Sequence, residues 1–565
     1  MVNSLVVAGI LVAALLGGYV FYGRFMAKLW GVDPNRKTPA VERPDGVDYV
    51  PAKHWTVLFG HHFSSIAGAG PIIGPVIACF YWGWLPTLIW IVIGSVFLGA
   101  VHDFSALMAS LRHKGQSIAQ VAEAVMGKRT KIIFASFIWL ALVLVIAVFA
   151  ASAAKTLTAQ PQVVIPTFGL IGVAILTGLM MYRWGVTQWL ATLIGVGLLL
   201  GLIVLGYFVP LDITRIGGVF AEHPVESWTI VLLIYGYIAS VTPVNILLQP
   251  RDYLATFVLY FGVLLGFVGL LVTHPPMQAP HYVSWSTPKG PVWPMLFVFV
   301  ACGAISGFHS LIASGTTSKQ IATEAHAKRV GYGSMIFEGV LAGLAVLCVC
   351  AGLHWTGHPG WNFPELMSSG GWIVAFGKGY GQLTGSTIGK VSGQGLAVGL
   401  TLGTLIGIIT IKTFIMTTLD SATRIGRYIG EELFGTLIPG KFFRSRFVST
   451  TIIIVFAAYL ALKSWHRVWP VFGAANQLVA ALALLVVTVL LLRLAKPAKY
   501  TFYPAIFMLL TTLGALAYQV VWDFIPNGKV LLAVIGIVLI ILAGIMSADG
   551  ISTARKLRRE RKAAV

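Results

Sequence analysis

The stretch Gly60–Ile77, GHHFSSIAGAGPIIGPVI, is apolar enough to cross a membrane yet carries helix breakers in its middle. An undisturbed helix cannot hold Gly68, Gly70, Pro71, Gly74 and Pro75 together, because glycine loosens the backbone and proline removes a donor and clashes with the preceding turn. In lipid, an unpaired amide or carbonyl finds no water. Such a break therefore persists only where protein or a watery cavity satisfies it. A proline kink with a packing role is the plainer explanation. The alternative, favoured by the rest of the chain, is two half-helices meeting at mid-membrane with their ends turned to ions and polar substrate groups.

The remaining sequence is built to accompany such a segment. Of its 565 residues 57% are hydrophobic and 10% charged, which fits one polytopic membrane body. Apolar runs of spanning length fall near 3–22, 56–81, 85–110, 131–154, 163–182, 187–209, 228–248, 253–273, 293–315, 331–353, 396–419, 448–463, 470–493, 501–522 and 529–548, about fifteen in all. The Gly-rich 369–395 is a place for a re-entrant piece, and the outer loops 210–227, 274–292 and 354–395 are candidates for a lid, plain surface loops being the commoner explanation. The first run, from Val2 to Tyr22, has no basic start or cleavage site and reads as a retained span.

A net charge of +20 raises the question of nucleic acid, but the 39 Lys and Arg flank apolar runs, which is topology rather than a binding patch. Most of them fall in alternate connections, predicting an outer N-terminus, a cytoplasmic C-terminus and a basic tail (549–565) lying at anionic lipid. The four cysteines form no metal-type pair, and no disulfide or zinc site is expected. The chain also lacks a phosphate-binding loop, dinucleotide fingerprint, nucleophile elbow and HExxH helix, arguing against an ATP-driven pump or an enzyme.

A second interruption is expected in the seventh run, around Ser240, Thr242 and Pro243, five spans after the first. That spacing predicts an inverted five-plus-five repeat. An N-terminal helix and basic loop (1–55) precede the ten-helix core (56–419), and further helices (420–548) follow it. The ninth run is crowded with hydroxyls; Ser314, Thr316, Thr317 and Ser318 are placed to offer oxygens to a hard cation beside the free carbonyls of Ala67 to Gly70. Small residues that merely let helices pack are the commoner explanation.

Ionisable residues inside spans are functional suspects: His61, His62, His102, Asp103, His309, Glu338, Lys412 and Asp420. Nearly all lie toward the inner side, where imidazoles and carboxylates can take up and release protons. A static ion-pair network, Lys412 with Asp103 or Glu338, is the structural alternative. Asp420 lies so near the inner surface that capping or snorkelling is expected of it. His61, His62, His102 and His309, with Asp103, are also acceptable metal ligands, although adjacent imidazoles on a regular helix point about 100° apart.

Three long runs resemble the carbon starvation protein A (CstA) family: ERPDGVDYVPAKHWTVLFGHHFSSIAGAGPIIGPVIA (Glu42–Ala78), WGWLPTLIWIVIGSVFLGAVHDF (Trp82–Phe104) and SGFHSLIASGTTSKQI (Ser306–Ile321). The resemblance implies an all-α polytopic transporter of LeuT-like type in the bacterial inner membrane. It also implies import of small peptides when carbon is scarce or, as in some relatives, of pyruvate with protons. The candidate substrate site is then Ser65, Gly68, Ala69, Gly70, Pro71 and Gly74 at the first break, with Ser240, Thr242 and Asn245 at the second. A substrate carboxylate would sit at the half-helix N-terminus near Pro71–Gly74, and Asp103, then Glu338, would take a peptide amine. Candidates for coupling to H⁺ or Na⁺ are His61, His62, Asp103, His309, Ser314, Thr317, Glu338 and Lys412. No organic cofactor is expected. A substrate-binding sensor without transport is the reading from another functional class.

Overall fold

The computed structural model describes residues 2–438, 440 and 442–563. Lys441 lies outside these residues, as do the side chains of Arg467, Arg561 and Lys562, all of which entered the topology argument. Among the described residues, fourteen helices are long and apolar enough to cross a membrane. They coincide with fourteen of the expected spans; the ninth is absent from this set because its helix is interrupted.

The first break has the expected form. Helix α1 (Trp55–Ala67) ends at Gly68, whose φ of 45° and ψ of −156° suit a residue without a side chain. Helix α2 (Gly70–Trp82) begins after Ala69, with Pro71 in its first turn, where a missing N–H costs nothing. Beyond it lies the span ending in helix α3 (Ala100–Arg112), which carries His102 and Asp103.

The second break is not where the sequence placed it. The seventh span runs unbroken over Pro224–Val241 and simply ends before Thr242. A short connection then leads to helix α4 (Leu248–Thr273). The ninth span is the interrupted one: helical over Phe297–Phe299, non-helical through 300–306, and helical again as α5 (Gly307–Gly315). The physical cause is distant in sequence. Asn476 Oδ1 accepts the Phe308 amide at 2.8 Å, while its Nδ2 donates to Ser306 Oγ at 2.9 Å. A side chain from another span thus caps the start of α5.

The two broken spans cross at their breaks and run antiparallel. Before the first break and after the second, His61 and His62 meet Thr316 and Thr317. On the other side, a methyl group at Gly74 would lie 2.2 Å from the Phe299 carbonyl, and one at Gly70 only 2.5 Å from Cys302 Sγ. The pair lies seven spans apart in the chain, not the five expected from the sequence.

Helix α6 (Gly333–Ala351) packs against α2, and helix α7 (Gly395–Leu437) crosses behind α1. The Gly-rich segment expected to be loop or lid folds largely as a helix, Gly371–Ser392, laid antiparallel on the start of α7. Glycines at four-residue spacing on both helices allow this approach; a methyl at Gly399 would be 2.0 Å from the Gly385 carbonyl.

Candidate functional site

Two buried polar networks lie on the same side of the helix crossing. The first is centred on Asp252 at the start of α4. His61 Nδ1 donates to Asp252 Oδ2 at 2.7 Å, and Ser65 Oγ, itself 2.9 Å from Ser421 Oγ, donates to the same oxygen at 3.3 Å. Gln320 Nε2 donates to His61 Nε2 at 3.1 Å, and Thr316 Oγ1 lies 3.2 Å from it. Arg251, one residue before, pairs with Asp420, which also accepts from Tyr235 at 2.7 Å. Asp420 is therefore a fully buried ion-pair partner rather than a surface cap, as are His61, Asp252 and Arg251 within this layer.

The second network joins α3, α5 and α6 immediately beside the second break. Asp103 accepts from two imidazoles, His102 Nδ1 at 2.7 Å and His309 Nδ1 at 2.9 Å. In both bonds the ring Nδ1 is the donor and the carboxylate oxygen the acceptor. The other nitrogen of His309, Nε2, faces Glu338 Oε2 at 3.4 Å. Neither atom has a hydrogen bond, nor has Glu338 Oε1 or His102 Nε2, and all four residues are at most 1% exposed. Among the described residues no Lys or Arg pairs with Asp103 or Glu338. His62 stands between the networks, its Nδ1 2.7 Å from Thr317 Oγ1 and its Nε2 without a partner.

Lys412 belongs to neither network. Its ammonium donates to Thr167 Oγ1 at 2.7 Å and to the Val163 carbonyl at 3.3 Å, so the expected ion pair with Asp103 or Glu338 does not form. The ninth-span hydroxyls are also placed differently than expected. Ser314 donates to the Ser310 carbonyl and Ser318 to that of Ser314, while Thr316 and Thr317 face the histidines. The last-turn carbonyls of α1 are instead met from α7: Thr417 Oγ1 donates to Ser64 O at 2.6 Å and Thr418 Oγ1 to Ser65 O at 3.2 Å. Sequence reasoning missed both threonines and Asn476, because hydroxyl and amide groups inside apolar runs look like packing residues, and Asp252, because QPRDY looks like the end of a span.

Ser240, Thr242 and Asn245 do not reach the first break. Ser240 lies 3.4 Å from Thr450 Oγ1, Thr242 bonds back to Ile238, and the backbone at Asn245 packs on Gly178. At the crossing itself, Gly70 and Gly74 line a cavity of about 40 Å³ with Ala301 and Cys302, room for a water molecule or so. In this conformation the second broken span covers the N-terminal end of α2, with Cys302 against Gly70. Among the described residues no three His, Cys, Asp or Glu side chains are grouped as a metal ion requires.

The model of the carbon starvation protein CstA family matches residues 2–357 and 365–515. The chain is 35% identical over 562 residues to the peptide transporter CstA of Campylobacter jejuni, covering 90% of this chain and 79% of that one. It is 32% identical over 611 residues to the peptide transporter CstA of Escherichia coli, covering 94% and 82%. The similarity extends to the pyruvate/proton symporter BtsT of Escherichia coli, 31% identical over 595 residues and covering 90% and 80%.

Proposed function

Given that the chain belongs to the carbon starvation protein CstA family, we propose that it is a proton-coupled secondary transporter importing small peptides, and that Asp103, His309 and Glu338 carry the proton. One observation supports the assignment of the proton: His309 Nε2 and Glu338 Oε2 face each other at 3.4 Å, both residues buried, and among the described residues no Lys or Arg pairs with either. A single proton held between them satisfies both atoms. Removing it leaves a carboxylate opposed to a lone pair out of reach of water, an arrangement that costs several kcal/mol in a buried site. Proton release is thus tied to wetting of the cluster, which requires α5 to move relative to α3 and α6.

The same movement governs the substrate. His309 is in the first turn of α5, close in sequence to Cys302, the residue that blocks Gly70. Parting α2 from the second broken span opens the small cavity and frees the N-terminal end of α2 for a substrate carboxylate. Bending at both breaks lets the remaining spans stay fixed, the usual economy of alternating access. The basic connections orient the chain with its C-terminus in the cytoplasm of a bacterial cell and its N-terminus outside the inner membrane.

Similarity to a pyruvate/proton symporter supports a second reading, a short monocarboxylate in place of a peptide. Both substrates carry the carboxylate that the α2 end would hold. Purified protein in liposomes, given labelled dipeptide or labelled pyruvate under separate pH and sodium gradients, discriminates them. Dipeptide uptake driven by the pH gradient supports the first reading, and pyruvate uptake alone supports the second. Failure of both substrates under both gradients, in correctly inserted protein, overturns both.

A further inference from the structure

A groove of about 1230 Å³ opens on the flank of the protein between the N-terminal helix, α1, α4 and α6. Its walls are aliphatic and aromatic, with Trp55 and Phe59 from α1, Phe257 and Leu264 from α4, and Phe337 from α6. Leu264 is 63% exposed and looks out of the fold. Along α4 the lining runs from Tyr253 to Phe267, about 21 Å at the rise of an α-helix. This exceeds by a few ångströms half of a hydrocarbon core of roughly 30 Å, so the groove spans one leaflet and reaches the headgroup level.

One end of the groove is cationic. Arg329 lines it, with its guanidinium 5.2 Å from the Trp55 ring, and Lys328 stands 4.3 Å from the Tyr19 ring. Arg24 lies within electrostatic reach of Lys328 and of Tyr19, and His54 and His326 flank Arg329. Among the described residues, none of Arg24, Lys328 and Arg329 has a carboxylate at ion-pair distance, whereas the nearby Glu324 is already shared by Arg36 and Arg112. Three unneutralised cations over an apolar channel one leaflet deep are complementary to a single class of molecule.

We propose that this groove binds an anionic phospholipid of the surrounding bilayer, its phosphate on Arg329, Lys328 and Arg24 and its acyl chains along α1 and α4. The aromatic side chains at the mouth seat the glycerol region, and the chains fill the space beside Phe257, Leu264 and Phe337. Because Trp55 and Phe59 belong to the half-helix that carries His61 and His62, the bound lipid braces α1 from outside. This inference does not depend on what the protein transports.

Native mass spectrometry of the full-length protein, purified in mild detergent and offered phosphatidylglycerol or phosphatidylcholine vesicle lipid, tests it. The expected result is retention of one phosphatidylglycerol at least tenfold more persistent than phosphatidylcholine. That preference disappears in the Lys328→Gln/Arg329→Gln double variant and survives in Arg183→Gln, a basic residue outside the groove. Should the double variant fail to fold, Leu264→Trp provides the second arm: it fills the channel while leaving the cations intact, and is expected to lose the retained lipid. Equal retention of both lipids by the wild type, or unchanged retention in these variants, overturns the proposal. So does a second copy of the chain found seated on the groove by cross-linking.

Discussion

The Asp252 and Asp103 networks draw on the same chemistry, imidazole against carboxylate in a buried layer, and differ in how completely their hydrogen bonds are closed. Around Asp252, His61 uses both ring nitrogens, and Arg251, Asp420 and Tyr235 neutralise and bond one another. Two atoms there stay open, Arg251 Nε and Asp252 Oδ1, and the latter has the Arg251 guanidinium 3.9 Å away. Around Asp103, among the described residues, no Lys or Arg pairs, and His102 Nε2, His309 Nε2 and both Glu338 oxygens lack a hydrogen-bond partner. A closed network fixes helices in register; an open one has capacity for another proton. The more nearly closed layer is therefore assigned to the support of α1, and the open layer is the proposed working site.

Variants that separate support from work sharpen this contrast. The largest effect on transport is expected from His309→Ala, which removes the ring joining Asp103 to Glu338: pH-gradient-driven uptake falls to background while the protein remains folded in fluorescence size-exclusion chromatography. Asp252→Ala acts through stability, because it leaves His61 unpaired and upsets the charge balance beside Arg251. A loss of about 3–5 kcal/mol is expected, seen as a clear fall in thermal midpoint. Lys412→Met tests whether the lysine outside both networks matters. Since it holds only Thr167 and a carbonyl, the thermal midpoint should stay within the equivalent of about 1 kcal/mol, with proton-driven uptake preserved.

The smallest effect concerns Asp48, a carboxylate outside the spans that bonds Arg424 and Arg427 of α7. Burial pushes its carboxyl up, but the Arg427 and Arg424 guanidiniums, the Lys319 ammonium and the Tyr428 hydroxyl outweigh that and hold it below the ordinary carboxylate range. The folded value lies below the unfolded one, so the stability it contributes is present above roughly pH 4 and fades only as pH falls through the depressed value. Between pH 5 and 8 the thermal midpoint gap between wild type and Asp48→Asn should therefore stay constant. A pH dependence of uptake in that window then does not come from Asp48.

How much of this could be read in the sequence depends on whether the cause was local. The break at Gly68 was legible because glycine and proline write it into the chain. The break at 300–306 has no proline and depends on Asn476, more than 160 residues away, so the run FVFVACGAISGFHS passed for a continuous span. The layer holding Asp103, His309 and Glu338 was legible because charge inside an apolar run stands out. Lys412 was wrongly drawn into it, since sequence gives depth along a helix but not the face it presents. Asp252 was overlooked for the opposite reason. Its neighbourhood, QPRDY, looks like the end of a span meeting solvent, and only the packing of α4 on α1 carries it inside.

The most direct test of the open network is Glu338→Gln in proteoliposomes, read in two modes: uptake of labelled substrate driven by a pH gradient, and exchange of labelled for unlabelled substrate with no gradient. The amide keeps the shape of the carboxyl but cannot give up or accept the proton opposite His309. The account predicts that gradient-driven uptake is lost while exchange persists, as expected of a carrier whose motion survives without its proton. Gradient-driven uptake at the wild-type rate would contradict it and move the coupling site away from His309 and Glu338.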